Sequence, residues 1–377
     1  MKTSRPYCYA AWTTVQYSGV FNGGGISPCC EWRGEKFTGK ISEYQNSKYL
    51  RKIKKAMVKH DMSVISKSCA ECIEQEKFSK SARNYIDRDL ENGTYKLDAI
   101  NKLDYRPDNL CNLKCRMCSM ASSSLIEEEF VKHGYKGPIK KRDTTDVLDF
   151  DLSNLKKFAI LGGEPTVNKN MFPILDYLIE NGLNETTRLH YTTNCTSVNE
   201  PWMSRARQFK DNHINMSIDA AGKAYEYIRS GAVWSKVENN IPKIIDIAVD
   251  YHIQMVVQMT SFAIIEDWIE YFLQFPPEKI YMSPMMGMPG KLDCIPVDIK
   301  KEKIAYLKKL NHPTADQAIR HFEMDKEFKP TQVTKYIAYN GWLDSIRGTN
   351  ILDLDPIFER ILGIQYDQYL EQISRKF

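Results

Sequence analysis

The sequence predicts an α/β protein built on a parallel sheet, and three observations carry that prediction. Beyond about residue 100, six short β-rich runs alternate with amphipathic helical stretches; strands alternating with helices imply parallel pairing through right-handed crossovers, in an open doubly wound sheet or a barrel. The composition, 42% hydrophobic, 27% charged and 11% aromatic, is that of a folded globular chain and excludes a largely disordered or fibrous one. The residues of unusual type fall just after strand ends, where parallel α/β folds build their active sites. Six units are too few for a full eight-stranded barrel.

In chain order the strands are INKLDYRP, LKKFAILGG, RLHYTTN, HINMSIDA, IQMVVQMTS and KIYMSPMM, each a short run rich in β-branched and aromatic residues. Helices are expected over NKNMFPILDYLIENG, with Asn168 capping the start and Gly182 the end, over SKVENNIPKIIDIAVDY and over EDWIEYFLQF. From about residue 291 a Pro-containing loop leads into helical patterns ending in DPIFERILGIQYDQYLEQISRKF. Within WLDSIRGTN, Trp342, Leu343 and Ile346 have the helical spacing of core residues. Asp344 and Arg347, at i and i+3, form a local ion pair or line a substrate cavity.

The chain's 377 residues suffice for one large domain with an appendage or for two ordinary domains. No apolar run approaches the roughly eighteen residues of a membrane span, and MKTSRPYCYAAW lacks the continuous apolar core of a secretory signal. The expectation is a cytoplasmic protein with no membrane contact. A net charge of +4, with both signs interleaved, permits a nucleic-acid partner without indicating one.

Ten cysteines without an export signal point to reduced thiols that hold metal rather than to disulfides. Cys195 and Cys294 stand alone and are read as small buried apolar residues. Cys111, Cys115 and Cys118 form the loop CNLKCRMC. Closed structural zinc sites and ferredoxin-type clusters take four protein ligands, so three thiolates leave one metal position open. The alternative is a partial zinc site completed by a distant His or Cys.

This CxxxCxxC loop, with the apolar Met117 before its last cysteine, resembles the signature of the radical S-adenosylmethionine (radical SAM) enzymes. The resemblance implies a partial (β/α)6 TIM-type barrel and a 4Fe-4S cluster whose fourth iron binds the methionyl amine and carboxylate of S-adenosylmethionine. Reductive cleavage then yields a 5′-deoxyadenosyl radical that abstracts a substrate hydrogen. Gly162, Gly163, Glu164 and Pro165 come after the second strand and resemble the family motif that holds the methionyl amino group: glycines admit close backbone approach, and a carboxylate accepts from an ammonium. Thr192, Thr193 and Asn194 come after the third strand, and Ser217 and Asp219 end the fourth, where short polar side chains suit ribose hydroxyls. Arg229 matches the arginine that pairs with the methionyl carboxylate in relatives with auxiliary clusters. No catalytic side chain is assigned.

The amino-terminal cysteines extend the resemblance. Cys8 is followed by fifteen residues, Gly24, four residues and Cys29, and later by Cys69 and Cys72 as a CxxC. This spacing is similar to the auxiliary-cluster module called SPASM or, in shortened form, twitch. It implies a second 4Fe-4S cluster closed by Cys8, Cys29, Cys69 and Cys72, with Cys30 a bystander; the rival is a zinc site on the same four thiolates. The module ordinarily comes after the barrel, whereas here it precedes it, which leaves its role open between binding substrate, relaying electrons and holding the module together. Trp342 to Asn350 resembles a segment near the end of phage and bacterial twitch-domain radical proteins.

The expected organisation is an auxiliary-cluster module over 1–98, a radical SAM partial barrel over 99–290 and a helical segment over 291–377. The resemblance implies oxidative modification of a peptide or protein, with a reducing electron donor such as flavodoxin or ferredoxin. Radical modification of RNA, a nucleotide or a small sugar-like substrate, and a non-catalytic iron-sulfur scaffold, are the alternatives.

Overall fold

The computed structural model describes residues 5–19, 24–77, 80–137, 145–285, 287–325, 327–363 and 366. All six expected strands are present: β3 (Lys102–Arg106), β4 (Lys157–Ile160), β5 (Arg188–Thr193), β6 (Asp211–Ser217), β7 (Asp250–Val257) and β8 (Ile280–Pro284). They lie side by side in sequence order and every neighbouring pair is parallel. Two strands were not expected. β1 (Thr14–Ser18) runs parallel to β3 in a register from Thr14 opposite Lys102 to Ser18 opposite Arg106, and β2 (Gly25–Ser27) pairs antiparallel with β1. The first 98 residues and the barrel strands therefore share one eight-stranded sheet.

The period of two along each strand separates two faces. Leu103, Tyr105, Phe158, Ile160, Tyr191 and Met216 form one buried cluster with Ile174, Leu175 and Leu178 of the helix Phe172–Glu180. The opposite face is polar. Gln16, Asp104, Ala159, His190, His213 and Asp250 stand in one row across six strands. The rings of His190 and His213 are 6.4 Å apart and those of His213 and His252 are 6.5 Å apart. Burial pulls His190 down to about 3, so it is neutral at ordinary pH and shares a 3.0 Å hydrogen bond between Nε2 and the Asn215 amide.

The crossover helices match the sequence with local departures. Asn168 caps a 3-10 turn (Lys169–Met171) ahead of the helix Phe172–Glu180, accepting from the Asn170 N–H at 3.0 Å. Gly182 sits beyond the helix end in the left-handed region at φ 69°, a conformation that glycine adopts without strain. The EDWIEYFLQF stretch holds two short pieces, Ile265–Asp267 and Ile269–Phe272. In the amino-terminal part, Ser47 caps the helix Lys48–Lys59 by accepting from Leu50 N at 3.0 Å. The carboxy-terminal helices are Val297–Leu310, Pro313–Met324, Pro330–Tyr336, Trp342–Arg347 and Ile357–Leu362, with a π-helical turn at Ile337–Gly341. Residues 364–365 and 367–377 of the expected last helix lie outside the described residues. Among the described residues no helix is long and apolar enough to cross a membrane.

Candidate cofactor site

The cysteine loop leaves the end of β3 and folds back beside the residues that come after the helix Gly222–Ile228. Lys114 N donates to Ser230 O and Arg116 N to Ile228 O, both at 2.9 Å, and Ser123 Oγ donates to Leu113 O at 2.7 Å. These bonds bring the three thiols together. Cys115 and Cys118 are hydrogen-bonded to each other, and Cys111 is in electrostatic contact with both. Cys115 is buried while Cys111 and Cys118 are half-buried. The Cys118 hydrogen bond lowers the Cys115 thiol against its burial. The Arg229 guanidinium, with Nη1 3.8 Å from Cys115 Sγ, lowers it further and favours the thiolate.

The GGEP turn presses against the start of this loop. Gly162 and Gly163 have φ of 87° and 58°, and a Cβ on Gly163 would stand 2.1 Å from the Leu110 carbonyl oxygen. Glycine is therefore required there on two counts, backbone conformation and space. Glu164 N donates to the same Leu110 oxygen at 2.8 Å. The buried Glu164 carboxylate accepts from Thr166 N (3.1 Å), Thr166 Oγ1 (2.7 Å), Thr193 Oγ1 (2.8 Å) and Asn194 N (2.6 Å). Three of these donors share Oε1 and one meets Oε2, which keeps an acceptor site. Through them Glu164 ties the turn after β4, where Pro165 opens a 3-10 turn, to the TTN segment after β5. Burial pushes its carboxyl up against these four bonds.

The TTN segment continues the link. Asn194 Nδ2 donates to Asn112 Oδ1 at 3.0 Å, Asn112 Nδ2 donates to Thr196 Oγ1 at 2.8 Å, and Asn194 Oδ1 accepts from Thr196. Thr192 lies on the polar sheet face, opposite Asn215 of β6, and Ser217 is half-buried at the end of that strand. Asp219 and Arg229, expected at the ribose and at the carboxylate, form one buried ion pair, with Arg229 Nε donating to Asp219 Oδ2 at 2.8 Å. Asp219 Oδ1 also accepts from Val256 N at 2.8 Å. Met117 is half-buried and packs against the core.

The amino-terminal cysteines converge as a second set. Cys8, Cys29, Cys69 and Cys72 line one small cavity that Tyr7, Ser68, Arg83 and Ile86 help to close. Burial pushes the Cys8 thiol up to about 12, that of Cys69 up to about 11, and that of Cys29 well up. Cys30 is not in this set. Its Sγ accepts from Lys102 Nζ at 3.8 Å, and it lines a separate cavity of about 730 Å³ with Gln16, Arg33, Lys36 and Arg106. Among the described residues no group of three or more His, Cys, Asp or Glu side chains forms a site for a single metal ion.

One expectation is corrected. Asp344 and Arg347 are not paired with each other: Asp344 pairs with Arg116 at 2.5 Å and Arg347 with Glu129 at 2.6 Å. On a helix the i,i+3 spacing puts both side chains on one face, and that face meets the cysteine loop. Sequence reasoning missed Arg116 and Glu129. The available signal was a pair of cations, Lys114 and Arg116, on both sides of a cysteine whose loop must be buried, since buried cations need carboxylate partners.

Residues 105–271 match the family model described as the Radical SAM superfamily. No curated protein matches the chain. Among solved structures the chain is similar to hexahistidine-tagged anSMEcpe with bound AdoMet, at 20% identity and a TM-score of 0.42, covering 56% of this chain and 59% of that one. It is similar also to Streptococcus suis SuiB bound to precursor peptide SuiA, at 14% identity and a TM-score of 0.39, covering 80% of this chain and 71% of that one. A third is TYW1 with a lysine-pyruvate adduct bound, at 16% identity and a TM-score of 0.30, covering 53% of this chain and 70% of that one. The chain thus spans 59% of the length of the anSMEcpe chain.

Proposed function

We propose that this chain, whose residues 105–271 match the Radical SAM superfamily model, is a two-cluster radical SAM enzyme of the twitch type that uses a 4Fe-4S cluster and S-adenosylmethionine and oxidatively modifies a peptide or protein. When bound, the cluster and S-adenosylmethionine supply a 5′-deoxyadenosyl radical that abstracts a substrate hydrogen. The carrying observation is the loop of Cys111, Cys115 and Cys118 folded against the Arg229–Asp219 pair, with Arg229 Nη1 3.8 Å from Cys115 Sγ, within the matched residues.

The donor set fits the group. Three thiols at one loop, one of them beside a guanidinium, suit a cluster that keeps a ligand position free. Gly162 and Gly163 let the backbone approach closely. Glu164 holds the loops after β4 and β5 in register, and its Oε2, which accepts from Asn194 N alone, keeps an acceptor site that suits a ligand ammonium. Thr192, Asn194 and Ser217, at the ends of β5 and β6, are the proposed partners of the nucleoside hydroxyls. The remaining donors of Arg229 suit an anionic group, while its Nε stays on Asp219.

The second cluster is supported by the shared cavity of Cys8, Cys29, Cys69 and Cys72, four cysteines from three separate segments. The cavity of about 730 Å³ on the polar side of β1 and β3 lies within the roughly 300–1,000 Å³ span of ligand pockets and is the proposed substrate volume. A low-potential donor of the flavodoxin or ferredoxin kind would supply the electron.

Anaerobic reconstitution with an iron and sulfide count tests the reading, with about eight irons per chain expected for two 4Fe-4S clusters and about four for one. Reductant and S-adenosylmethionine should then yield 5′-deoxyadenosine. None from the fully loaded protein would overturn the enzyme assignment.

A further inference from the structure

We propose that the helix Trp342–Arg347, which lies outside the matched domain, belongs to the machinery that holds the first cluster: Asp344 and Arg347 are positioning residues that fix Cys115 by gripping the residues on both sides of it. The inference rests on the reading of Cys111, Cys115 and Cys118 as cluster ligands.

Arg116 adjoins Cys115 and its side chain is only 2% exposed; that of Asp344 is 0% exposed. Arg116 Nη2 donates to Asp344 Oδ1 at 2.5 Å and to Thr349 Oγ1 at 2.8 Å, its Nε donates to Tyr227 O at 2.9 Å, and its guanidinium lies 3.6 Å over the Tyr227 ring. The other oxygen of Asp344 accepts from Tyr227 Oη at 2.9 Å, from Ile351 N at 3.1 Å and from Tyr366 Oη. On the other side of the cysteine, Arg347 Nη1 donates to Lys114 O at 2.9 Å and to Ser230 Oγ at 3.1 Å, while its Nη2 meets Glu129 at 2.6 Å. Lys114 Nζ completes the group on Glu129 at 2.7 Å.

One helix face therefore holds Lys114 and Arg116 from one side, and the backbone of Ile228 and Ser230 holds the same two residues from the other. Arg229, which reaches Cys115 Sγ, lies between those two backbone anchors. The preceding π-helical turn brings Asn340 to the same guanidinium, with Arg116 Nη1 3.4 Å from its carbonyl oxygen. Desolvation offsets much of the attraction in a buried ion pair, so such a pair is weak evidence for stability and is better explained here by the register it imposes. What it registers is the position of one sulfur against one guanidinium.

The test uses the full chain, reconstituted, in wild-type form and as D344N, R347K and the apolar pair R116M/D344L. Release of iron to an iron(II) chelator is measured together with the electron paramagnetic resonance signal that responds to S-adenosylmethionine. D344N should release iron from that site about tenfold faster, the lower end of what partners behind metal ligands contribute, with an altered signal. R116M/D344L removes both charges but leaves Tyr227 Oη, Ile351 N and Tyr366 Oη without that acceptor, so it should melt lower and show the same fast release and altered signal. A destabilising variant in a remote helix, the fully buried Leu307→Ala, should melt lower with neither change; loss of stability alone would not separate the two. R347K retains the ion pair with Glu129 and should fall between. Wild-type release and an unchanged signal in D344N and in R116M/D344L would overturn the proposal while leaving the cluster assignment intact. A wild-type protein with no such signal after reconstitution would overturn the cluster assignment, and this inference with it.

Discussion

The two cysteine sets solve opposite problems. Cys111, Cys115 and Cys118 sit within eight consecutive residues, so the chain brings them together almost without help from the fold. Cys8, Cys29, Cys69 and Cys72 come from three separate segments and meet only because β1, β2 and the helices around Ser68 and Ala82 place them there. Their surroundings differ accordingly. The contiguous loop is braced by ionic groups, with Arg229 on Asp219, Arg116 on Asp344 and Lys114 with Arg347 on Glu129. The dispersed set is enclosed mainly by Tyr7, Ala10, Ala82 and Ile86, with Arg83 as its near cation. A local loop must be held in place from outside if it is to keep a ligand position open. The proposed dispersed cluster would instead fasten the chain segments that supply it, and metal binding there would contribute to folding.

Ways to break this contrast run from the largest expected effect to the smallest. Replacing Cys115 by Ala should abolish 5′-deoxyadenosine formation and take the iron count from about eight to about four; cleavage that survives in this variant would remove the loop from the chemistry. Changing Cys69 and Cys72 together to Ala should also halve the iron, yet leave some uncoupled cofactor cleavage while product and solubility are lost. Zinc without a second iron-sulfur signal in metal analysis and Mössbauer spectra would instead make the amino-terminal set a zinc site. Gly163→Ala puts a Cβ against the Leu110 carbonyl at positive φ, a strain on the order of 1–3 kcal/mol. It should lower the melting temperature and empty the loop site before the amino-terminal one, as read by differential iron release. Cys30→Ser should change stability by less than about 0.5 kcal/mol and leave the iron content untouched, because its thiol faces Lys102 and not the four-cysteine cavity.

Much of this was readable from local sequence. The six strands β3 to β8 stand where the β-rich runs lie, and the grouping of Cys29, not Cys30, with Cys8, Cys69 and Cys72 agrees with the glycine spacing. What escaped was every pairing set by packing between distant segments. TTVQYS is too short and too polar at Gln16 and Ser18 to read as a buried strand, but Gln16 accepts from Ser27 Oγ at 2.9 Å and the segment is buried along its whole length. Spacing cannot show that the strand end bearing Asp219 and the helix end bearing Arg229 touch. Asp344 and Arg347 were matched to each other by the helical i,i+3 rule, which holds for exposed faces; burial against the cysteine loop offered each a better-placed partner.

The union of β1 with β3 makes the amino-terminal part inseparable from the barrel. Trimming the chain back to residue 99 would strip five residues of β3 of their neighbour and bare a row of amides and carbonyls able to recruit strands from other molecules, so the shortened protein should aggregate. During synthesis the opening strand emerges long before its mate, and the newborn polypeptide must keep it soluble until the rest of the sheet arrives.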